Sequence, residues 1–136
     1  MHIERQRQLS IALENQPGRL AAIARLLAEH EISIQAICVI DNVEQGMVRL
    51  LTTDAIASRR VLEAASLHVV EAEVLVIELT DKLGKLAFIS QALASSNINI
   101  EYAYGSVDHA GARTRLVLKT SRPAKAEEIL GALRER

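Results

Sequence analysis

Leu9-Ser10-Ile11-Ala12-Leu13-Glu14-Asn15-Gln16-Pro17-Gly18-Arg19-Leu20 returns 66 residues later as Leu75-Val76-Ile77-Glu78-Leu79-Thr80-Asp81-Lys82-Leu83-Gly84-Lys85-Leu86. Each copy alternates apolar residues with others, breaks at a short polar turn and resumes around a glycine, the pattern of a half-buried strand that runs into a helix. The offset holds outward from this stretch without a gap. Ala21 and Ile23 fall on Ala87 and Ile89, Leu27 and Ala28 on Leu93 and Ala94, Ile32 and Ile34 on Ile98 and Ile100, and Arg49 and Leu50 on Arg115 and Leu116. Farther on the register slips by one or two residues, so that Leu62 meets Ile129 or Leu130, as a changed loop length requires. The chain is a duplication, and its fold has to be read as two related halves.

The first half reads by period. Leu9, Ile11 and Leu13 define a strand; Asn15-Gln16-Pro17-Gly18 is a turn and helix start; Leu20, Ile23, Ala24 and Leu27 follow helical spacing to about His30. Ile32, Ile34, Ala36, Cys38 and Ile40 alternate again, Asp41 to Gly46 reads as a hairpin loop, and Met47 to Thr53 as its second strand. Asp54 is placed to cap a helix whose apolar side is Val61, Leu62 and Ala65, and Leu67 to Val70 returns to strand. The order β-α-β-β-α-β is the ferredoxin-like unit, an α+β fold with two helices on one face of an antiparallel sheet. The second half repeats this order but has no residues after its last helix for a fourth strand, which leaves the strand beginning at Val74 as an expected sheet edge. The expected division is 1–72 for the first repeat and 73–136 for the truncated second. Ile37 and Val39 are read on the face opposite Ile34, Ala36 and Cys38, which calls for an apolar cover from the sister repeat or another copy.

Composition excludes several functions. The 136 residues are 49% apolar and 24% charged with a formal net charge of −1, a globular composition. Twelve arginines and four lysines against 17 acids give no basic footprint for nucleic acid, and Phe88, Tyr102 and Tyr104 are too few aromatics for a base-stacking platform. Apolar runs as short as Val74 to Ile77 exclude a membrane helix, and no secretory leader is recognisable in Met1 to Gln8. One cysteine, Cys38, cannot form an internal disulfide, so a cytoplasmic location is expected. His2, His30, His68 and His109 have no spacing that places two on one face, and Cys38 alternates with apolar positions as a small buried residue would. Arg113 and Arg115 share one side of a strand, which suits an anion or a solvated sheet face equally. No catalytic residue, metal site or cofactor is expected.

The repeated turn is the remaining candidate site. A helix that starts near Pro17 has unpaired first-turn N–H groups and the positive end of its dipole directed outward, which suits a carboxylate. Gly18 and Gly84 have no Cβ to hold a ligand away, and Pro17 fits a first helical turn. Asn15 and Asp81 fit two roles: helix caps, or side-chain acceptors for an α-ammonium group. The second copy replaces Pro17 with Leu83 and Asn15 with Asp81, whose fixed charge opposes a carboxylate, so the first copy is the better site.

Leu13-Glu14-Asn15-Gln16-Pro17-Gly18-Arg19-Leu20 and its second copy, each followed after a helix by Ile32-Ser33-Ile34 or Ile98-Asn99-Ile100, resemble the signature of the ACT domain. The resemblance runs from about Gln8 to Leu133 as a tandem pair. It implies a regulatory module that binds a small molecule, usually an amino acid, assembles side by side as a homodimer and couples occupancy to a partner metabolic enzyme. It also implies a ligand site at Asn15, Gln16, Pro17, Gly18 and Arg19, with Asp81 and Gly84 in the second copy. The second strand, at Ile34 and Ala36 and at Ile100 and Tyr102, would close the pocket from a neighbouring domain. Two other functions stay open at this level: an assembly module of the same fold that binds no ligand, and a small enzyme. The apolar strand residues favour a branched-chain or other apolar amino acid.

Overall fold

The computed structural model describes residues 1–41, 45–80, 84–107 and 113–133. Ten elements follow in order: β1 (His2–Leu13), α1 (Arg19–Glu29), β2 (Ile34–Ile40), β3 (Gly46–Thr52), α2 (Ala55–Ala64), β4 (Val69–Thr80), α3 (Lys85–Ser95), β5 (Ile100–Val107), β6 (Arg113–Thr120) and α4 (Pro123–Gly131). The α+β class and the β-α-β-β-α order of each half are as the sequence predicts, and the strands expected at Leu67–Val70 and from Val74 form one strand, β4. Asn42 to Glu44 of the predicted hairpin loop, Asp81 to Leu83 and His109 lie outside the described residues.

Two compact units form, Arg7–Ala72 and Met1–Gln6 with Glu73 onward. In the first, strands lie in the order β2-β3-β1-β4. Leu9 pairs with Leu50 and Ile11 with Val48, so the alternating residues of β1 and β3 share one face. Onto that face pack Ile23 and Leu27 of α1 and Leu62 of α2, all at most 3% exposed. In the second unit the order is β1-β4-β6-β5. Leu75 and Ile77 oppose Leu118 and Leu116, and Ile89, Leu93, Ala126 and Leu130 complete the core.

The strand missing from the end of the second repeat is supplied from the beginning of the chain. Residues 2–6 of β1 lie beside β4, Met1 and Ile3 pack against the second core, and Arg5 pairs with Glu73 at 2.9 Å and Glu127 at 3.2 Å. The second unit therefore includes Met1–Gln6, which the sequence division assigned to the first repeat. The strand from Val74 is not an edge.

Local signals set the helix ends. The Asp54 carboxylate accepts the Ala57 N–H at 3.0 Å, the predicted cap of α2. Glu31, Ser66 and Asn97, all at positive φ, follow α1, α2 and α3, and the next N–H reaches back in each case: Ile32 to Leu27, Leu67 to Leu62, Ile98 to Leu93. That bond satisfies a last-turn carbonyl and seats an apolar residue under the helix end.

A β-bulge alters the predicted facing of the second strands. Ile34 opposes Thr52, but Ala36 opposes Leu51, Ile37 opposes Leu50 and Cys38 opposes Arg49. One extra residue exchanges the faces, so Ile37 and Val39 lie on the side of Ile34, Val48 and Leu50 yet stay 45% and 52% exposed, while Ala36 and Cys38 point away. β5 repeats the device, with the shift between Ile100 and Tyr102. Among the described residues no helix is long and apolar enough to cross a membrane.

Candidate functional site

The turn between β1 and α1 is built around Gly18. Its φ of 87° lies in the left-handed region, and a Cβ there would meet nothing within 4 Å. Conformation rather than crowding demands the glycine, and the space above it is open. α1 begins at Arg19, two residues later than the sequence predicts, because Gly18 turns the chain before the first helical bond, from the Ala22 N–H to the Gly18 carbonyl at 3.0 Å. Pro17 therefore precedes the N-cap instead of occupying the first turn. No side chain caps the helix, which excludes the cap role for Asn15. The Leu20 and Ala21 N–H groups have no acceptor among the described residues and retain the partial positive charge of a helix start.

Beside this turn lies a cavity of about 270 Å³. The end of β1 lines it with Ala12, Leu13 and Glu14, the stripe Arg19, Ala22, Ile23 and Leu26 forms the α1 wall, and Ala65 and Leu67 close it beyond α2. Its walls are largely apolar, and its charged groups are one acid and one base. Arg19 donates to the Glu14 carboxylate at 3.1 Å and to the Gln16 side-chain oxygen at 3.2 Å.

In the second unit Gly84, also at φ 87°, is the N-cap of α3, without a side-chain cap and with no atom within 4 Å of where a Cβ would lie. Asp81, the predicted counterpart of Asn15, lies outside the described residues.

Of the predicted site residues, the structure brings Asn15, Gln16, Pro17, Gly18 and Arg19 together in one exposed turn, and only Arg19 of these lines the cavity. Ile34 packs against the first core and Ile100 against the second, whereas the bulges turn Ala36 and Tyr102 to the opposite faces. Neither strand pair therefore presents both members to one pocket of its own unit. Sequence reasoning missed Glu14, Ala22 and Ala65; the signal for them was absent bulk, since each carbon lost at an alanine widens the gap between helix and sheet. No group of three or more His, Cys, Asp or Glu suited to a metal occurs among the described residues.

The model of the family described as ACT domain pair matches residues 4–134. The chain belongs to the ACT domain pair family. Among solved structures, protein BT0572 from Bacteroides thetaiotaomicron is 28% identical with a TM-score of 0.88, over 95% of this chain and 88% of that one. The ligand-free regulatory subunit of aspartate kinase from Thermus thermophilus is 18% identical with a TM-score of 0.68, over 98% and 97% of the two chains. The corresponding subunit from Thermus flavus is 21% identical with a TM-score of 0.66, over 95% and 92%. The last two likenesses establish the ACT-pair fold alone. A comparison with curated proteins finds no match.

Proposed function

We propose that this ACT pair is a regulatory module that binds a small molecule, an amino acid, and passes its occupancy to a metabolic enzyme, acting as a cytoplasmic homodimer without catalysis of its own. The observation that carries this reading is the β1–α1 corner: a helix start with unpaired N–H groups, held open by a glycine in a conformation other residues resist. A carboxylate is the complement of that corner. Gln16, Gly18 and Arg19 are the proposed contacts in the first unit, and Gly84 marks the weaker corner of the second.

Thermal denaturation of the full chain against each of the twenty amino acids tests the proposal. A ligand present at ~100 times its Kd adds about 2.7 kcal/mol, a rise of roughly 10 °C for a chain of this size. Gly18→Val should abolish the rise while the circular dichroism spectrum persists. No rise with any amino acid would leave the same fold as an assembly module without a ligand.

A further inference from the structure

We infer that α4 is a flap: it lifts from the second unit as a local opening, while the strands beneath it stay paired and α2, its counterpart in the first unit, stays down. The opening needs no ligand and goes beyond the binding role above. The two helices compare residue by residue. Thr53 Oγ1 accepts the Ser33 N–H at 3.2 Å and Ser121 Oγ accepts the Asn99 N–H at 2.9 Å, while Thr52 and Thr120 oppose Ile34 and Ile100 across the second strands. An offset of 68 residues therefore sets Thr52 on Thr120, Asp54 on Arg122, Ser58 on Ala126 and Leu62 on Leu130.

Polar bonds fasten α2 to its sheet. The Asp54 carboxylate accepts the Ala57 N–H at 3.0 Å, and Ser58 Oγ donates to the Asp54 carbonyl at 2.6 Å. Ser58 Oγ also lies 2.7 Å from Thr52 Oγ1, so the end of β3 and the first turn of the helix share a buried hydroxyl pair. Among the described residues α4 has none of these bonds. Ala126 carries no hydroxyl, and Thr120 Oγ1, on a residue 1% exposed, is closed to water and has no partner among the described residues. Arg122 offers the first turn no side-chain acceptor. Its φ of 49° holds a non-glycine residue in the left-handed region, where Asp54 is extended at −149°.

The magnitudes decide which helix opens first, with each tenfold worth 1.4 kcal/mol. A missing side-chain cap raises the opening equilibrium about fivefold, an orphaned buried hydroxyl about fivefold to 100-fold, and a left-handed residue about fivefold or more. One difference works the other way. Ile129 and Leu133 stand where α2 has Val61 and Ala65, and their extra half-buried apolar surface lowers the equilibrium about tenfold. Ion pairs do not tip the balance, because Arg59–Glu71 at 3.3 Å and Arg5–Glu127 at 3.2 Å tie each helix once to a strand, both in partly hydrated positions. The polar losses prevail by about tenfold or more. Lifting α4 withdraws Ala126 and Leu130 from the second core, so the open unit presents an apolar sheet face that the closed one hides.

Native-state hydrogen exchange of the full chain, followed amide by amide by NMR, is the test. Corrected for intrinsic rates, the amides of 127–131 should exchange at least tenfold faster than those of 59–64, while those of 75–79 and 116–118 keep the protection of the global fold. Ala126→Ser, which gives the Thr120 hydroxyl a partner, should slow exchange in α4 about fivefold or more. Thr120→Val removes that hydroxyl at nearly constant shape and should slow it likewise, whereas the same change at a bonded hydroxyl would speed it. Arg122→Gly, which relieves the left-handed backbone, should slow it too. Equal protection of α4 and α2 would overturn the inference. Loss of protection over 75–79 together with α4 would do so as well, since the whole unit would then open at once. So would exchange in α4 that neither Ala126→Ser nor Thr120→Val slows.

Discussion

Ile3 belongs by sequence to the first repeat and by packing to the second, so replacing it separates the two assignments. Its half-buried side chain lies against the core that Leu75, Ile89 and Leu118 form. Full burial of an isoleucine contributes about 1.5–3 kcal/mol, and half of that, lost in Ile3→Ala, is about 1 kcal/mol, or roughly 3–6 °C in Tm. Deletion of Met1–Gln6 removes more: Met1, Ile3 and the pairing of the strand with β4. The Arg5–Glu73 pair goes too, but with side chains 44% and 45% exposed it adds little. Apolar contact and backbone bonds together come to about 3–5 kcal/mol, comparable with the lower range of domain stability. Hydrogen exchange followed by mass spectrometry reads the location of the loss. In the deletion variant, amides of 73–80 and 113–120 should exchange roughly 100- to 4,000-fold faster, since each 1.4 kcal/mol is tenfold, while those of 46–52 change far less. Unchanged protection over 73–80, or a loss confined to 46–52, would refute the strand exchange.

Asp54→Ala, which removes the acceptor for the Ala57 N–H, should cost about 1 kcal/mol in urea denaturation without changing the m-value. The Glu71 carboxyl is held below its ordinary value, chiefly by the hydrogen bond from Arg7 at 2.7 Å, against the opposing effect of burial, and further by Arg59. Because its folded pKa is lowered, its stabilisation is complete above the ordinary value of 4.5 and fades as pH falls through the folded one. The Tm gap between the natural chain and Glu71→Gln should therefore be wide at pH 7 and narrow steadily below pH ~4.5. Gly18→Ala forces a Cβ into the left-handed region and should lower stability by about 1–2 kcal/mol, although no atom obstructs the new methyl group.

The duplication made most of the architecture legible. A strand, a glycine turn and a helix recurring in register fix the element order, and Asp54 marks its helix start because a carboxylate at that place has one obvious donor to meet. The bulges were not legible: Ile34, Ala36, Ile37, Cys38 and Val39 are all apolar or small, so alternation cannot register an extra residue. The strand at His2–Gln6 was hidden for the opposite reason, since Ile3 stands alone among polar residues and its strand state comes from its neighbour β4. Gly18 was legible as a turn, but its φ of 87° and the two-residue delay of α1 depend on where the sheet ends. The cavity is a property of what Ala22 and Ala65 lack, and neither the alternation of a strand nor the spacing of a helix signals it.

Amide chemical-shift mapping of the full chain during titration with L-leucine tests the site most directly. The account predicts the largest shifts between Glu14 and Ala22, with the Leu20 and Ala21 amides moving downfield as they gain a carboxylate partner, and smaller changes at Ala65 and Leu67. Shifts confined to residues outside this corner, or none at millimolar amino acid, would contradict it.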